Sequence, residues 1–329
     1  MSPERFEGVL GEIRQCARRA DWTAVRGYAE HEVVRLTSEG ALLVSEAELR
    51  QGDSAAARER LAVLVAEAAR RHDAVATRLA TNMLGAAHFE LGEMEAAETA
   101  FEASLTAAGR EQDHLTAARA TNNLGMIANL RGRHELALTR YRMAVPAYQR
   151  LGATGDLAGV FHNLAITLRD LGQLDAADDH ERRAMEYAEE AGNERVLAIA
   201  RAGRGEISLR TGEYAVAAAS AARAAGALEA LGDPLSAADA LRIMALAEAN
   251  LGRPERAADA IDHAVTIAEE VGAALIHAEC LRARAEIRLK AGDRAGALAD
   301  VGQAARAFRD LGATPELAAV EAWWSAANH

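Results

Sequence analysis

The sequence predicts an all-α protein: a right-handed α-solenoid of about eight antiparallel helix pairs, closed by a C-terminal capping helix. Three observations predict it. Alanine supplies 81 of the 329 residues and aromatic residues only 4%, a composition that favours helix and starves a sheet of the side chains it needs. Glycine recurs at Gly52, Gly92, Gly132, Gly172, Gly212, Gly252 and Gly292, always at the same interval and without insertion, and a fixed period of this size marks repeat architectures. A second series, Gly152, Gly192, Gly232, Gly272 and Gly312, has the same interval and lies half a period out of phase.

The glycines delimit segments of about 18 residues, each the length of one helix. Residues 1–36 read as a short, irregular first pair that turns at Asp21-Trp22-Thr23. Residues 37–312 read as seven regular pairs, for example 73–91 with 94–110 and 113–131 with 134–151, and residues 313–329 as the cap. The whole of 1–329 is then a single solenoid. Glycine ends each helix because it adopts the left-handed conformation without Cβ strain. Asp73, Asp113, Thr154, Asn193 and Asp233 suit helix N-caps, and Pro234 suits a first turn. Pro146 falls inside a predicted helix, so a bend or a local loss of bonding is expected near Arg142. In the cap, Leu317, Val320 and Trp324 share a face that should pack on the preceding helix. Trp323 falls off that face; it is either a contact to a second copy or a partner, or a half-exposed edge residue.

Small residues recur in columns. Alanine follows each first-series glycine by five positions, at Ala57, Ala97, Ala137, Ala177, Ala217, Ala257 and Ala297. The first helix of each pair carries Ala80, Ala120, Val160, Ala200, Ala240 and Cys280, and also Gly85, Gly125, Ala165, Gly205, Ala245 and Ala285. Small faces small in this reading, which lets the two axes approach closely. Phe101, Tyr141 and Ile261 are expected to fill the spaces between pairs.

Leu84-Gly85, Leu124-Gly125, the turn glycine, the alanine five positions later and Phe101 or Tyr141 four after that resemble the tetratricopeptide repeat, whose common form has ~34 residues. Here each helix is nearly a turn longer. That is similar to the long-helix variants of kinesin light chains, bacterial peptide-pheromone receptors and the sensor arms of bacterial transcriptional regulators. HEAT-like repeats also fit the period, but the paired Gly and Ala columns favour the first resemblance. The chain departs from the pattern at His88, Ala128, Leu168 and Ser208, where a late aromatic is replaced, and at Glu181 and Ala221, which stand where Phe101 does.

Composition and motifs exclude several functions. A net charge of −12 argues against nucleic acid as partner. No 18-residue window is apolar and free of charge, so no membrane insertion is expected. Two distant cysteines, Cys16 and Cys280, form no disulfide framework and suit a reducing cytoplasm. There is no P-loop, G-x-S-x-G, H-E-x-x-H or C-x-x-C, so no catalytic residue, cofactor or metal is assigned. The dense cluster Asp175, Asp178, Asp179, His180, Glu181 with Arg182 and Arg183 reads as a solvated face with pairs such as Asp179–Arg183, or as a metal site. Cys280 fills an alanine column and reads as a small buried hydrophobe rather than a nucleophile.

In a solenoid the first helices line the concave side. The face of the third pair bearing Asn82 is repeated one period on by Arg119, Asn122, Asn123 and Met126, and again by His162 and Asn163. An amide both donates and accepts, so it can hold a peptide backbone whatever the side chains; the resemblance implies the same, since such asparagines contact peptides in related grooves. The alternative is a surface amide, or one packed on the neighbouring helix. The lysine-rich carboxylate clamp of related chaperone adaptors is not matched, because Ala86 and Met126 stand where one asparagine is needed. Further along, Glu206, Arg210, Asp239, Arg242, Glu279, Arg282, Glu286 and Lys290 suggest a polar partner or internal salt bridges. The groove candidates are therefore Asn82, Arg119, Asn122, Asn123, Met126, His162, Asn163, Arg242 and Arg282. The expected function is a non-enzymatic scaffold that binds a protein or peptide segment. The alternatives are a regulatory sensor whose groove ligand controls a partner, and an enzyme using the groove as a pocket.

Overall fold

The computed structural model describes residues 3–327. Among the described residues there are eighteen helices and no strand. The chain divides into two compact units, Met1–Ala120 and Thr121–His329, with the division inside helix α8 (His114–Leu130).

The first unit opens with α1 (Pro3–Arg18), α2 (Trp22–Arg26) and α3 (Glu32–Leu36). Where one irregular pair was expected there are three helices, because two caps interrupt the segment. The Asp21 carboxylate accepts from the Ala24 N–H at 3.0 Å, and the His31 ring accepts from the Val33 N–H at 3.2 Å. Leu10, Ile13, Val25, Val33 and Val34 form their core together with Val44 and Ala47 of α4 (Ser38–Arg50). Then come α5 (Ser54–Arg70), α6 (Ala74–Glu90) and α7 (Met94–Arg110). Glu48 on α4 is buried and held bidentate by Arg60 on α5, with contacts of 2.8 and 3.1 Å.

The second unit holds the end of α8 and then α9 (His134–Leu151), α10 (Thr154–Asp170), α11 (Leu174–Glu190), α12 (Glu194–Arg210), α13 (Tyr214–Ala230), α14 (Pro234–Asn250), α15 (Pro254–Glu270), α16 (Ala274–Lys290), α17 (Arg294–Asp310) and α18 (Thr314–Ala327). From α10 to α17 consecutive helices pack as pairs, and α10, α12, α14 and α16 also touch one another in series. All twelve glycines of the two series have positive φ. At Gly92 the turn is a Schellman motif: the Gly92 N–H donates to the Phe89 carbonyl at 3.0 Å and the Glu93 N–H to the His88 carbonyl at 2.8 Å. His72 and Gln112 take the same left-handed conformation, φ 56° and 54°, where the second series lacks its glycine.

Asp73, Asp113, Asn193 and Asp233 cap their helices through a backbone N–H. Thr154 does not: it is the first helical residue, and Ala153 at the cap position makes no side-chain bond. Helix α9 continues through Pro146, whose missing N–H leaves the Arg142 carbonyl without its helical donor, the local loss that was expected. Pro146 and Arg142 are exposed, so water can satisfy the carbonyl deprived of its donor, while buried Tyr141, Ala144 and Tyr148 hold the helix in place.

All seven residues of the alanine column are fully buried. Two of the large aromatics meet the glycine column of the first helices directly. A Cβ on Gly85 would lie 2.6 Å from the Phe101 ring, and one on Gly125 would lie 2.5 Å from the Tyr141 ring. Each ring therefore fills a glycine notch in the first helix of its own repeat, and Tyr141 also reaches the next repeat, where its hydroxyl bonds Thr167. Where Ala221 replaces the aromatic, backbone takes its place: the Gly205 position lies 3.4 Å from the Ala217 carbonyl oxygen.

Candidate functional site

The inner face of the second unit is carried by α8, α10, α12, α14 and α16, whose constant repeat length puts equivalent side chains beside one another. At its start lie amides. Asn163 on α10 donates to the Asn122 carbonyl oxygen on α8 at 3.1 Å, and Asn122 donates to Asn123 at 3.3 Å. Further along α8, the Asn129 carbonyl oxygen accepts from the Thr167 hydroxyl at 2.8 Å, and its amide donates to Asp170 at 3.2 Å. Asn122, Asn123 and Asn163 are half-buried. A carboxamide has two N–H donors and two lone pairs, so the bonds between Asn122 and Asn163 leave capacity on both.

From Asp170 a lattice of ion pairs continues helix by helix. Arg210 on α12 lies 3.6 Å from Asp170 and donates to the Arg169 carbonyl at 3.1 Å. Glu206 on α12 accepts from Arg242 on α14 at 3.0 Å, and Arg242 also meets Asp239 at 2.7 Å and Glu279 on α16 at 3.7 Å. Lys290 on α16 bridges Glu286 at 3.0 Å and Asn250 on α14 at 3.1 Å. Burial works to raise the Glu206 carboxyl, but Arg242, Arg169 and Arg210 outweigh it and hold the group far below the usual carboxylate range. Burial likewise opposes the Arg242 charge, and Asp239, Glu206 and Glu279 overcome it. The charges expected to face a polar partner thus largely face one another.

The sequence candidates divide accordingly. Asn122, Asn123 and Asn163 are brought together. His162 turns away from them, its ring nitrogen 2.9 Å from buried Glu181 on α11. The reason is the departure noted at position 181: a carboxylate replaces an aromatic there and needs a buried partner. Arg242 is 4% exposed and committed to three carboxylates. Arg282 is half-buried, and no ion pair or hydrogen bond to it is found among the described residues. Met126 is half-buried on α8 in the second unit; Asn82 on α6 and Arg119 on α8 are half-buried in the first. Two participants escaped sequence reasoning. Arg169 was detectable, because its column continues as Leu209, Ala249 and Leu289. Glu316 on α18 had no local signal.

The acidic cluster on α11 pairs differently from expectation. Arg182 takes Asp178, at 3.0 Å, and Asp179. Arg183 instead lies over the Phe161 ring, 4.0 Å from its centroid. No group of three His, Cys, Asp or Glu able to hold a metal ion is found among the described residues. Cys280 is fully buried, and burial pushes its thiol far up from the usual cysteine range. No helix among the described residues is long and apolar enough to cross a membrane.

A family model described as tetratricopeptide repeat matches residues 75–150, and a second of the same description matches 157–191. The chain is a tetratricopeptide-repeat protein. No curated protein matches this tetratricopeptide-repeat chain significantly. Among solved structures, a Rap protein complexed with Competence and Sporulation Factor is similar with a TM-score of 0.64 at 14% identity, over 99% of this chain and 98% of that one. NprR in complex with its cognate peptide NprX gives 0.58 at 19% identity, over 91% and 89%. A signal-transduction ATPase with a tetratricopeptide-repeat sensor from Pyrococcus horikoshii gives 0.53 at 15% identity, over 85% of this chain and 43% of that one. At these identities the likeness establishes the fold alone.

Proposed function

We propose that this tetratricopeptide-repeat protein is a non-enzymatic binding protein that takes an extended peptide segment along the inner face of its first helices. The observation that carries the reading is the amide set Asn122, Asn123 and Asn163, half-buried and bonded to one another across consecutive repeats. Such amides can pair with any peptide backbone, whatever its side chains. An extended segment advances ~3.3 Å per residue, while packed helices lie ~8–10 Å apart, so successive repeats meet about every third residue. Met126, half-buried on α8 beside these amides in sequence, belongs to the same proposal. Among the similar solved structures, NprR holds its cognate peptide and the Rap protein holds Competence and Sporulation Factor. The likeness to a sensor-bearing ATPase supports a second reading, in which the bound peptide regulates a partner in the cytoplasm.

The test begins with selection of linear peptides from a display library on the full chain, followed by fluorescence anisotropy with a synthetic selected peptide. Each lost hydrogen bond is worth ~0.5–1.5 kcal/mol, so Asn122→Ala/Asn163→Ala should weaken the peptide about tenfold with little change in thermal stability. Unchanged affinity, or collapse of stability with affinity intact in the folded fraction, makes these asparagines structural and overturns the reading.

A further inference from the structure

Helix α18 ends the second unit, and its first turn does not stop at the edge of the last pair. The body of the helix packs along α17, with Val320 fully buried. Its start reaches the turn between α8 and α9, where Pro315 lies 3.0 Å from the Cβ position of Gly132. The next residue, Glu316, lies within electrostatic reach of Asp170 on α10 and of Glu279 and Arg282 on α16. Pro315 and Glu316 therefore span the inner face from its last repeat back to its first.

The two residues act in opposite senses. Pro315 brings an apolar ring against a glycine that has no side chain of its own, a contact that favours the seated position. Glu316 brings a carboxylate beside two others. Its Oε2 is buried and has no hydrogen-bond partner, whereas the other inner-face carboxylates, such as Glu206, are answered by arginine. A buried polar atom without a partner is unfavourable, and an ionised one more so. We propose that the first turn of α18 is a clasp across the inner face of the second unit, seated by Pro315 and released by the charge of Glu316. A groove ligand enters as it releases; for what enters, the proposal rests on the peptide-binding reading above.

The direction with pH follows from the groups that face Glu316. Burial raises its carboxyl first, Glu279 and Asp170 add to this, and Arg282 and the residue's own backbone N–H oppose it; the balance pushes the group up to about 7. From the α8–α9 turn, Arg131 and Arg133 flank Gly132 in sequence. A carboxyl whose seated pKa is raised favours the seated state below its ordinary value and loses that preference as pH rises through about 7. The clasp is closed in mild acid and loosened in mild base.

Hydrogen–deuterium exchange of the full chain at pH 5.5 and 8.5, corrected for intrinsic rates, reads the clasp without any ligand. Protection in peptides covering residues 313–327 should fall about tenfold or more at the higher pH relative to α16. Glu316→Gln, which stays neutral, should keep its protection at both values, and Pro315→Gly should lose it at both. Equal protection of α18 in wild type at the two pH values, or the same pH response in Glu316→Gln, overturns the clasp. The library-selected peptide then tests entry: wild type should bind it more tightly at pH 8.5 than at 5.5, and Glu316→Gln should bind it weakly at both. A pH response shared by the variant overturns entry through the clasp. Failure to select any peptide overturns the peptide-binding reading and leaves the exchange result standing, so the two fail separately.

Discussion

Gly125→Ala asks whether the glycine notch or the general helix preference governs the repeat. Alanine is normally better than glycine inside a helix by ~1 kcal/mol. At Gly125 the added methyl would stand 2.5 Å from the Tyr141 ring, well inside the ~3.5–4.0 Å of ordinary carbon contact. The ring has little freedom to retreat: Tyr141 is 2% exposed, and its hydroxyl is hydrogen-bonded to Thr167 on α10. Overpacking of this kind costs about 1–3 kcal/mol. Set against the helix gain, the net result runs from no change to a loss of about 2 kcal/mol. Gly226 is the control. It is exposed in the interior of α13, with nothing within 4 Å of its Cβ position, so Gly226→Ala should stabilise by about 1 kcal/mol. Urea unfolding followed by far-UV circular dichroism gives both values. In a Tyr141→Leu background the penalty at position 125 should vanish, a coupling of about 1–3 kcal/mol. Equal stabilisation by the two glycine substitutions, or no coupling to Tyr141, refutes the notch.

His72→Gly and Gln112→Gly replace the left-handed non-glycine residues of the second series, and each should raise stability by about 0.5–1 kcal/mol in the same unfolding assay. Asp113 caps α8 and meets Arg78 at 2.7 Å; burial opposes its charge, but the Thr116 N–H, Arg78 and the Thr116 hydroxyl outweigh it and bring its carboxyl down to about 2. A depressed carboxyl stabilises above its unfolded value and loses that as pH falls. Asp113→Ala should therefore cost about 2 kcal/mol at neutral pH, with the deficit shrinking between about pH 4 and 2 in acid titration of the two proteins. Asp300 is 1% exposed and holds Arg284 at 2.9 Å and Arg288 at 2.8 Å. Asp300→Ala should lower stability by about 3 kcal/mol, toward the low end for a buried pair because Arg284 keeps Asp262 at 3.2 Å. Trp323 and Trp324 lie half-buried with ring centroids 6.0 Å apart on α18; if the chain self-associates there, Trp323→Ala should reduce the mass seen by light scattering, and an unchanged mass in a dimeric parent excludes the contact.

The sequence by itself determined the helices and the turns between them. Those features are local: a glycine that accepts left-handed φ, a polar residue just after the turn that caps the next helix, and a buried alanine with no room for a larger side chain. Each acts over a few residues, and each recurs at a fixed step. The same step placed the amides on one face, so Asn122, Asn123 and Asn163 were legible as a set. Tertiary structure decided how those polar groups spend their bonds. His162 faced the groove by register, yet a buried carboxylate at position 181 draws it to α11. Arg242 looked available and is enclosed by carboxylates from three helices. Glu316 had no periodic signal at all, because its neighbours, Asp170 and Glu279, are brought to it by the path of the whole second unit. Periodicity fixes which residues share a face; which charge meets which depends on distances across helices, and burial then decides how strongly each meeting counts.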